Sequence, residues 1–130
     1  MTKQILVVDD SATVRHQLRS FLVGQGFEVI EADSGNAGLA QAQTKRFDLI
    51  ICDVNMPGMS GIDMVALVRK LPDHAGTPIF MLTTESAGDV TKRGKEAGAT
   101  AWMVKPFRPE ILLKGIQKVT QAPAAAAAAK

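Results

Sequence analysis

Short apolar runs alternate along the chain with longer segments of helical periodicity. The runs are rich in Val, Ile and Leu, as β-strands are. They cover Gln4–Val8, Glu28–Ala32, Leu49–Cys52, Pro78–Leu82 and Ala101–Val104. Most of these runs are apolar at every position rather than at every second one, which indicates burial on both faces. The pattern therefore predicts a parallel sheet covered by helices.

Helices are predicted between these strands and after the last one. The first spans about residues 13–23, and Gly24 and Gly26 supply its stop signal. Its predicted solvent face carries Arg15, Gln17 and Arg19. Further helices are predicted over residues 36–45, 62–70 and 89–97, and a fifth after Pro109. Five β-α units in succession predict an α/β fold, in which a doubly wound five-stranded parallel sheet is packed between five helices.

Length and composition indicate one globular domain. We expect a folded domain over residues 1–120 and a disordered alanine-rich tail over residues 121–130, where Pro123 should stop the last helix. A net charge of +2 gives no argument for direct nucleic acid binding. The chain has no apolar stretch of the ~20 residues that a membrane span needs. Cys52 is the only cysteine, which fits a cytoplasmic location.

Polar residues stand where the predicted strands end. In doubly wound folds, ligands bind beyond the carboxyl ends of the strands. The residues delivered to that edge are Asp9 and Asp10 after the first strand, Asp53 after the third, Thr83 after the fourth and Lys105 after the fifth. Three acids, a hydroxyl and a lysine at one edge predict a functional site.

These residue types fit phosphoryl transfer. Three neighbouring carboxylates repel one another and favour a bound cation, and hard oxygen ligands suit Mg²⁺. Lys105 would attract an anion into the same pocket, and the Thr83 hydroxyl could bond a phosphoryl oxygen. Asp53 would then be the nucleophile that forms an aspartyl phosphate. Because an acyl phosphate is labile, the modification would be temporary, as in a switch.

The chain resembles the receiver domain of two-component response regulators in four strings. These are ILVVDDS (5–11), DLIICDVNMPGMSG (48–61), IFMLTTES (79–86) and WMVKPF (102–107). The resemblance covers residues 4–120, and with no effector domain in the sequence it is greatest to the stand-alone chemotaxis type. It implies a flavodoxin-like receiver fold with strand order 2-1-3-4-5. It also implies a monomer that catalyses its own phosphotransfer and dephosphorylation without being a conventional enzyme.

The resemblance implies a role for each residue at the predicted edge. Asp53 would accept the phosphoryl group from a histidine kinase. Asp10, Asp53 and the backbone carbonyl of Asn55 would bind Mg²⁺, and Asp9 would support the metal through water. Lys105 would contact the phosphoryl group.

The resemblance also implies a switch. Thr83 would move toward the phosphoryl group, and Trp102, where the family usually has Tyr or Phe, would change rotamer. The Lys105–Pro106 peptide would be cis. The face made by the fourth helix, fifth strand and fifth helix would then bind a downstream protein. Because this stretch carries more basic than acidic residues, we expect the partner to present an acidic segment.

The sequence argues against three other classes of protein. A phosphatase with an aspartate at the end of its first strand needs D-x-D, but Ser11 stands two positions after Asp9. A dinucleotide site needs G-x-G-x-x-G directly after a strand, whereas Gly24-Gln25-Gly26 follows a helix. A flavin-binding protein of the same architecture needs no triple-acid cluster.

The histidines and the cysteine do not predict a zinc site. His16, His74 and Cys52 lack zinc-site spacing, so we expect structural or solvent-exposed positions for them. Two functions besides the phosphorylated switch stay open. One is a receiver-like binding module that works without phosphorylation, and the other is a receiver cut from a longer transcriptional regulator.

Overall fold

A computed structural model describes residues 3–83, 97–105 and 107–129, with side chains through Val119 in the last range. Its strands form one parallel sheet in the order β2-β1-β3-β4-β5. They are β1 (Gln4–Val8), β2 (Glu28–Ala32), β3 (Leu49–Asp53), β4 (Ile79–Thr83) and β5 (Ala101–Val104). The predicted doubly wound parallel sheet and its strand order are confirmed, and only the bounds of β3 and β4 differ, by one residue.

The helices α1 (Ala12–Gly24), α2 (Gly35–Thr44) and α3 (Gly61–Val68) connect the first four strands. Each begins after a serine whose side chain accepts a hydrogen bond from a backbone N–H of the first turn, which is the usual N-cap. These serines are Ser11, Ser34 and Ser60. A short 3₁₀ turn, Pro72–His74, precedes β4. The helix predicted over residues 89–97 lies almost entirely outside the described residues.

The C-terminal helix spans Pro109–Ala129. It therefore continues past Pro123, where we expected it to stop. Alanine has the highest intrinsic helix propensity, so the six alanines that follow Pro123 favour helical backbone. The disordered tail over residues 121–130 stays a prediction.

The core consists of two apolar layers, one on each face of the sheet. One layer joins alternate strand residues such as Leu6 and Ile50 to α3 through Met64 and Val68. The other joins their neighbours to α1 and the C-terminal helix through Leu18, Leu22, Leu112 and Ile116. All five residues of β3 and of β4 are buried, so these central strands are held on both faces. No helix among the described residues is long and apolar enough to span a membrane.

Strand register sets the positions of the predicted site residues. Val8 is the partner of Cys52, so the residues that follow them, Asp9 and Asp53, emerge side by side from adjacent strands. At the other side of β4, Thr83 is the partner of Val104, which places Lys105 one step beyond the sheet. Parallel pairing thus delivers three acids and a lysine to one edge.

Candidate functional site

The predicted acids form one cluster. A carboxylate oxygen from each of Asp9, Asp10 and Asp53 lies within 4.8 Å of the others. Asp9 is fully buried and Asp53 is 4% exposed, whereas Asp10 is open to solvent. The cluster therefore has two acids fixed in the protein interior and a third at its mouth.

Lys105 is the cation of this cluster. Its Nζ lies 2.9 Å from Asp9 Oδ2 and 3.2 Å from Asp53 Oδ1, so it bridges the two buried acids. Burial works to lower the pKa of Lys105, but its hydrogen bond to Asp9 and the charges of Asp53 and Asp9 outweigh burial and raise that pKa. The ammonium stays charged, and it is 16% exposed, so it can also reach an incoming anion.

Asp53 is an unusually weak acid. Burial and, next, the charge of Asp9 raise the pKa of Asp53 to about 6, although Lys105 opposes them. Lys105 carries one positive charge against three carboxylates, which leaves two negative charges unbalanced when all of them are ionised. A divalent cation would balance them.

Asp9 and Asp10 differ in how many of their carboxylate oxygens are already bonded. Asp9 Oδ1 accepts a hydrogen bond of 2.9 Å from the Ser11 N–H, and its Oδ2 pairs with Lys105. Both oxygens of Asp9 are thus engaged inside the protein. Asp10 is exposed and faces solvent, which suits direct ligation of an ion better.

The loop after β3 holds Asp53 closely. Gly58 has φ +75°, as the third residue of a type II turn requires, and Pro57 before it suits the second position of such a turn. The loop returns at once, because the Gly61 N–H donates to the Val54 carbonyl at 2.9 Å. A Cβ at Gly61 would collide with the carbonyl oxygen of Asp53. Only glycine lets α3 begin so near the acid, and Asn55 is left exposed in the loop.

The predicted switch residues lie on the last two strands. Thr83 is fully buried, and its carbonyl accepts a 2.7 Å hydrogen bond from the Lys105 N–H. Trp102 is half-buried and packs against the layer that contains Met64. Pro106, whose cis peptide we predicted, lies outside the described residues, as do Lys92, Arg93 and Lys95 of the predicted basic face.

Arg15 also contacts the site, although the sequence pattern did not predict it. We placed it on the solvent face of α1, but its side chain is 18% exposed and its Nη1 donates to the Asp9 carbonyl at 2.6 Å. Helical periodicity predicts only the side of the helix from which a side chain starts. It does not show that a long side chain such as that of Arg15 can bend back to the end of a strand. A basic residue one turn after the N-cap Ser11 was the only available signal.

The two histidines and the cysteine occupy the structural or solvent-exposed positions that we expected. His74 is fully buried near the start of β4, and His16 is exposed on α1. Cys52 is buried beside the cluster, and burial, followed by the charges of Asp53 and Asp9, raises the pKa of its thiol far above the usual range. Burial therefore disfavours the reactive thiolate form of Cys52.

Comparison with known proteins identifies the family. The model of the response regulator receiver domain matches residues 5–117. The chain is 36% identical over 117 residues to the chemotaxis protein CheY of Pseudomonas aeruginosa, covering 89% of this chain and 94% of that one. The solved structure of the chemotaxis response regulator CheY4 of Vibrio cholerae superposes with a TM-score of 0.87 and 47% identity, covering 92% of this chain and 99% of that one.

Longer proteins are also similar. The transcriptional regulatory protein ResD of Bacillus subtilis is 38% identical over 112 residues, and the match covers 85% of this chain but only 45% of ResD. The family match spans nearly the whole described sheet and contains every predicted site residue. The chain therefore belongs to the response regulator receiver domain family of two-component signalling, and it is similar to the CheY-like members.

Proposed function

We propose that this protein is a phosphorylation-switched signalling protein whose Asp53 accepts a phosphoryl group from a histidine kinase. The observation that carries the proposal is the cluster itself. A buried carboxylate stands between two further acids and a lysine at the ligand-binding edge of the sheet. A merely structural arrangement would not gather three negative charges around one cation, because their repulsion destabilises the fold.

The acids fit Mg²⁺. We assign Asp10, Asp53 and the backbone carbonyl of Asn55 as its ligands, with Asp9 supporting it through water, since both oxygens of Asp9 already have partners within the protein. Bound Mg²⁺ would supply charge neutralisation for the transferring phosphoryl oxygens. The unbalanced charge of the cluster and the raised pKa of Asp53 both support a cation there.

The protein groups then perform an in-line transfer. A carboxylate oxygen of Asp53 forms a bond to phosphorus while the bond from phosphorus to the donor imidazole nitrogen breaks, and the histidine leaves as neutral imidazole after protonation. The Lys105 ammonium then pairs with the phosphoryl oxygens instead of the Asp53 carboxylate, and the Thr83 hydroxyl donates a hydrogen bond to one of these oxygens. Chemistry of this kind depends mainly on position, which the parallel register supplies.

The switch would act through the last two strands. A shallow groove of about 560 Å³ lies beside Trp102, Val104, Phe107 and Ile111. Val104 and Ile111 are both 48% exposed, so apolar surface is available to a partner. Thr83 and Trp102 lie on the paired strands β4 and β5. A partner that binds the phosphorylated conformation more tightly than the unphosphorylated one by a few kcal/mol would shift the balance between these two conformations. We propose this face as the docking site of a downstream protein with an acidic segment.

The direct test uses a small phosphodonor. Wild-type protein with acetyl phosphate and Mg²⁺ should gain one phosphoryl group that is lost in mild base, and EDTA should prevent the gain. Asp53→Asn should abolish labelling, while Asp63→Asn, an exposed acid on α3, should label as the wild type does. Full labelling of Asp53→Asn would refute the assignment, and a wild type that never labels would favour the phosphorylation-independent binding module.

The second candidate is a receiver that belongs to a longer transcriptional regulator. The observation in its favour is the similarity to ResD, of which the match covers 45%. The phosphoacceptor chemistry would be the same in either case, but the output would be DNA binding by an attached domain. The full-length gene decides between them. The cytoplasmic location and the monomeric state are further parts of the proposal, and sedimentation with and without acetyl phosphate tests the second.

A further inference from the structure

Arg15 reaches from α1 to the peptide that carries the acid cluster. Its Nη1 donates to the carbonyl oxygen of Asp9 at 2.6 Å, and its Nε donates to Glu31 Oε1 at 3.3 Å. The side chain is 18% exposed, so these bonds are made largely away from solvent. Arg15 thus connects a helix, the end of β1 and the edge strand β2.

The bond to Asp9 falls at a position that the sheet leaves unpaired. The β1–β2 ladder ends with Val8 beside Ala32, and one further bond joins the Asp9 N–H to the Ala32 carbonyl at 3.1 Å. The Asp9 carbonyl belongs to the same peptide unit as the N–H of Asp10. Whatever fixes that carbonyl therefore fixes the plane from which Asp10, the exposed acid of the cluster, projects.

The guanidinium acts through its shape more than its charge. Glu31 neutralises Arg15 and also pairs with Arg19, whose Nη1 lies 3.0 Å from Glu31 Oε2. A planar fork can bond the Asp9 carbonyl and Glu31 together, which a single ammonium cannot do. Arg19 shares the same acid but is 55% exposed and has no bond to the cluster, so it is a natural control.

We propose that Arg15 is a positioning residue that holds the Asp9–Asp10 peptide so that the acid cluster selects Mg²⁺. The proposal rests on the proposed function, because it assumes that the cluster binds a divalent cation. Mg²⁺ requires near-ideal octahedral ligand placement, whereas the larger Ca²⁺ tolerates irregular placement. Displacing Asp10 should therefore weaken Mg²⁺ binding more than Ca²⁺ binding.

The experiment is calorimetric titration of the whole chain with Mg²⁺ alone and with Ca²⁺ alone. Arg15→Met keeps the aliphatic stem and removes the donors, and Arg19→Met is the matched control. We expect Arg15→Met to bind Mg²⁺ about tenfold more weakly, as loss of an outer partner of a metal ligand does, and Ca²⁺ about threefold more weakly or less. Arg19→Met should keep both affinities within about twofold.

The ratio of the Mg²⁺ affinity to the Ca²⁺ affinity separates a positioning role from general destabilisation, because partial unfolding would weaken the binding of both ions equally. An unchanged ratio in folded Arg15→Met would overturn the proposal, as would an equal fall in Arg19→Met. If Arg15→Met does not fold, Arg15→Lys is measured instead, and a ratio equal to that of the wild type overturns the proposal in the same way. A wild type that binds no Mg²⁺ refutes the proposed function itself, whereas wild-type binding with an unaffected Arg15 variant refutes only this role.

Discussion

The two edges of the sheet bury polar side chains with different partners. Near the starts of the strands, the His74 ring is fully buried, with Nε2 2.9 Å from the Lys45 carbonyl and Nδ1 3.0 Å from the Thr77 hydroxyl. Near the ends of the strands, Asp9 and Asp53 are buried around Lys105. The first edge pairs polar groups with neutral partners, and the second concentrates like charges.

Arg69, at the first edge, likewise bonds neutral backbone groups. Its guanidinium donates to the carbonyl oxygens of Gly98, His74 and Thr77, and so joins the end of α3 to the segments before β4 and β5. Burial lowers the pKa of Arg69, but the group stays charged at neutral pH because an arginine pKa begins so high. Each bond there satisfies a backbone acceptor that would otherwise be costly to bury.

The fold stores free energy for function at the edge where the strands end, not at the edge where they begin. At the first edge, the polar network stabilises the chain connections, and the charge of Arg69 is directed at backbone carbonyls rather than at a ligand. At the second edge, the raised pKa of Asp53 records a repulsion that the folded protein tolerates and that a cation or a phosphoryl transfer would relieve. Variants at the two edges should therefore change stability in opposite directions.

The largest effect is expected from Arg69→Met. Methionine keeps the apolar stem but leaves three carbonyls without the Arg69 donor, which should cost about 3 kcal/mol of unfolding free energy at roughly 1 kcal/mol for each carbonyl. Urea unfolding monitored by circular dichroism measures the loss. Arg46→Met is the matched control, because Arg46 pairs only with Asp73 on the surface and its loss should cost under about 1 kcal/mol. Equal losses in the two variants would remove the distinction between the network and an ordinary surface pair.

The next effect has the opposite sign. In the unfolded chain Asp53 loses its proton near pH 4, but in the folded protein only near pH 6. Between these values the folded state holds the extra proton, so stability falls as pH rises from about 4 to 6 and stays low above that. Asp53→Asn should remove this fall and stabilise the metal-free protein by about 1–2 kcal/mol at pH 8, allowing for solvent screening.

Thermal unfolding of both proteins across pH 4–8 in EDTA checks this sign. Asp33→Asn serves as control, because Asp33 follows β2 at the same edge but is exposed and outside the cluster. Added Mg²⁺ should narrow the gap between wild type and Asp53→Asn by stabilising the ionised cluster. A wild type more stable than Asp53→Asn in EDTA at pH 8 would contradict the unbalanced charge.

A third measurement compares the acids at the second edge as Mg²⁺ ligands. Asp10→Ala should weaken Mg²⁺ binding by at least about tenfold, because a direct ligand is lost, and Asp9→Ala should weaken it less. Calorimetric titration with Mg²⁺ ranks the two variants against wild type. The reverse order would mean that the buried acid ligates the ion directly and that Lys105 moves aside when it binds.

The sequence predicted the site edge better than the opposite edge, and strand topology explains why. Asp9, Asp53 and Lys105 directly follow their apolar runs, and parallel strands must end at one edge, so local pattern determined their meeting. The bonds of His74 and Arg69 join residues up to 29 positions apart through backbone carbonyls, which no side-chain pattern encodes. The bond of Arg15 to the cluster was not predicted for the same reason, since its acceptor is also a backbone oxygen.

The smallest effect is expected at the proposed docking face, where excess positive charge would attract an acidic partner. Between residues 101 and 119 the chain has Lys105, Arg108, Lys114 and Lys118 against the single acid Glu110. Lys105 is committed to the cluster, whereas Arg108, Lys114 and Lys118 are exposed around the groove and the C-terminal helix. An acidic partner would therefore meet excess positive charge beside the apolar groove, and added salt should weaken its binding.

Lys118→Glu should weaken the binding of an acidic amphipathic peptide to the acetyl phosphate-treated protein by about two- to fivefold, as rim charges do. Fluorescence anisotropy of the labelled peptide at two salt concentrations measures the change. Arg19→Glu is the control on α1, whereas Arg15 is unsuitable because its bond to Asp9 couples it to the cluster. If Arg19→Glu costs more than Lys118→Glu, the output face lies on α1, and the groove beside Trp102 loses its assignment.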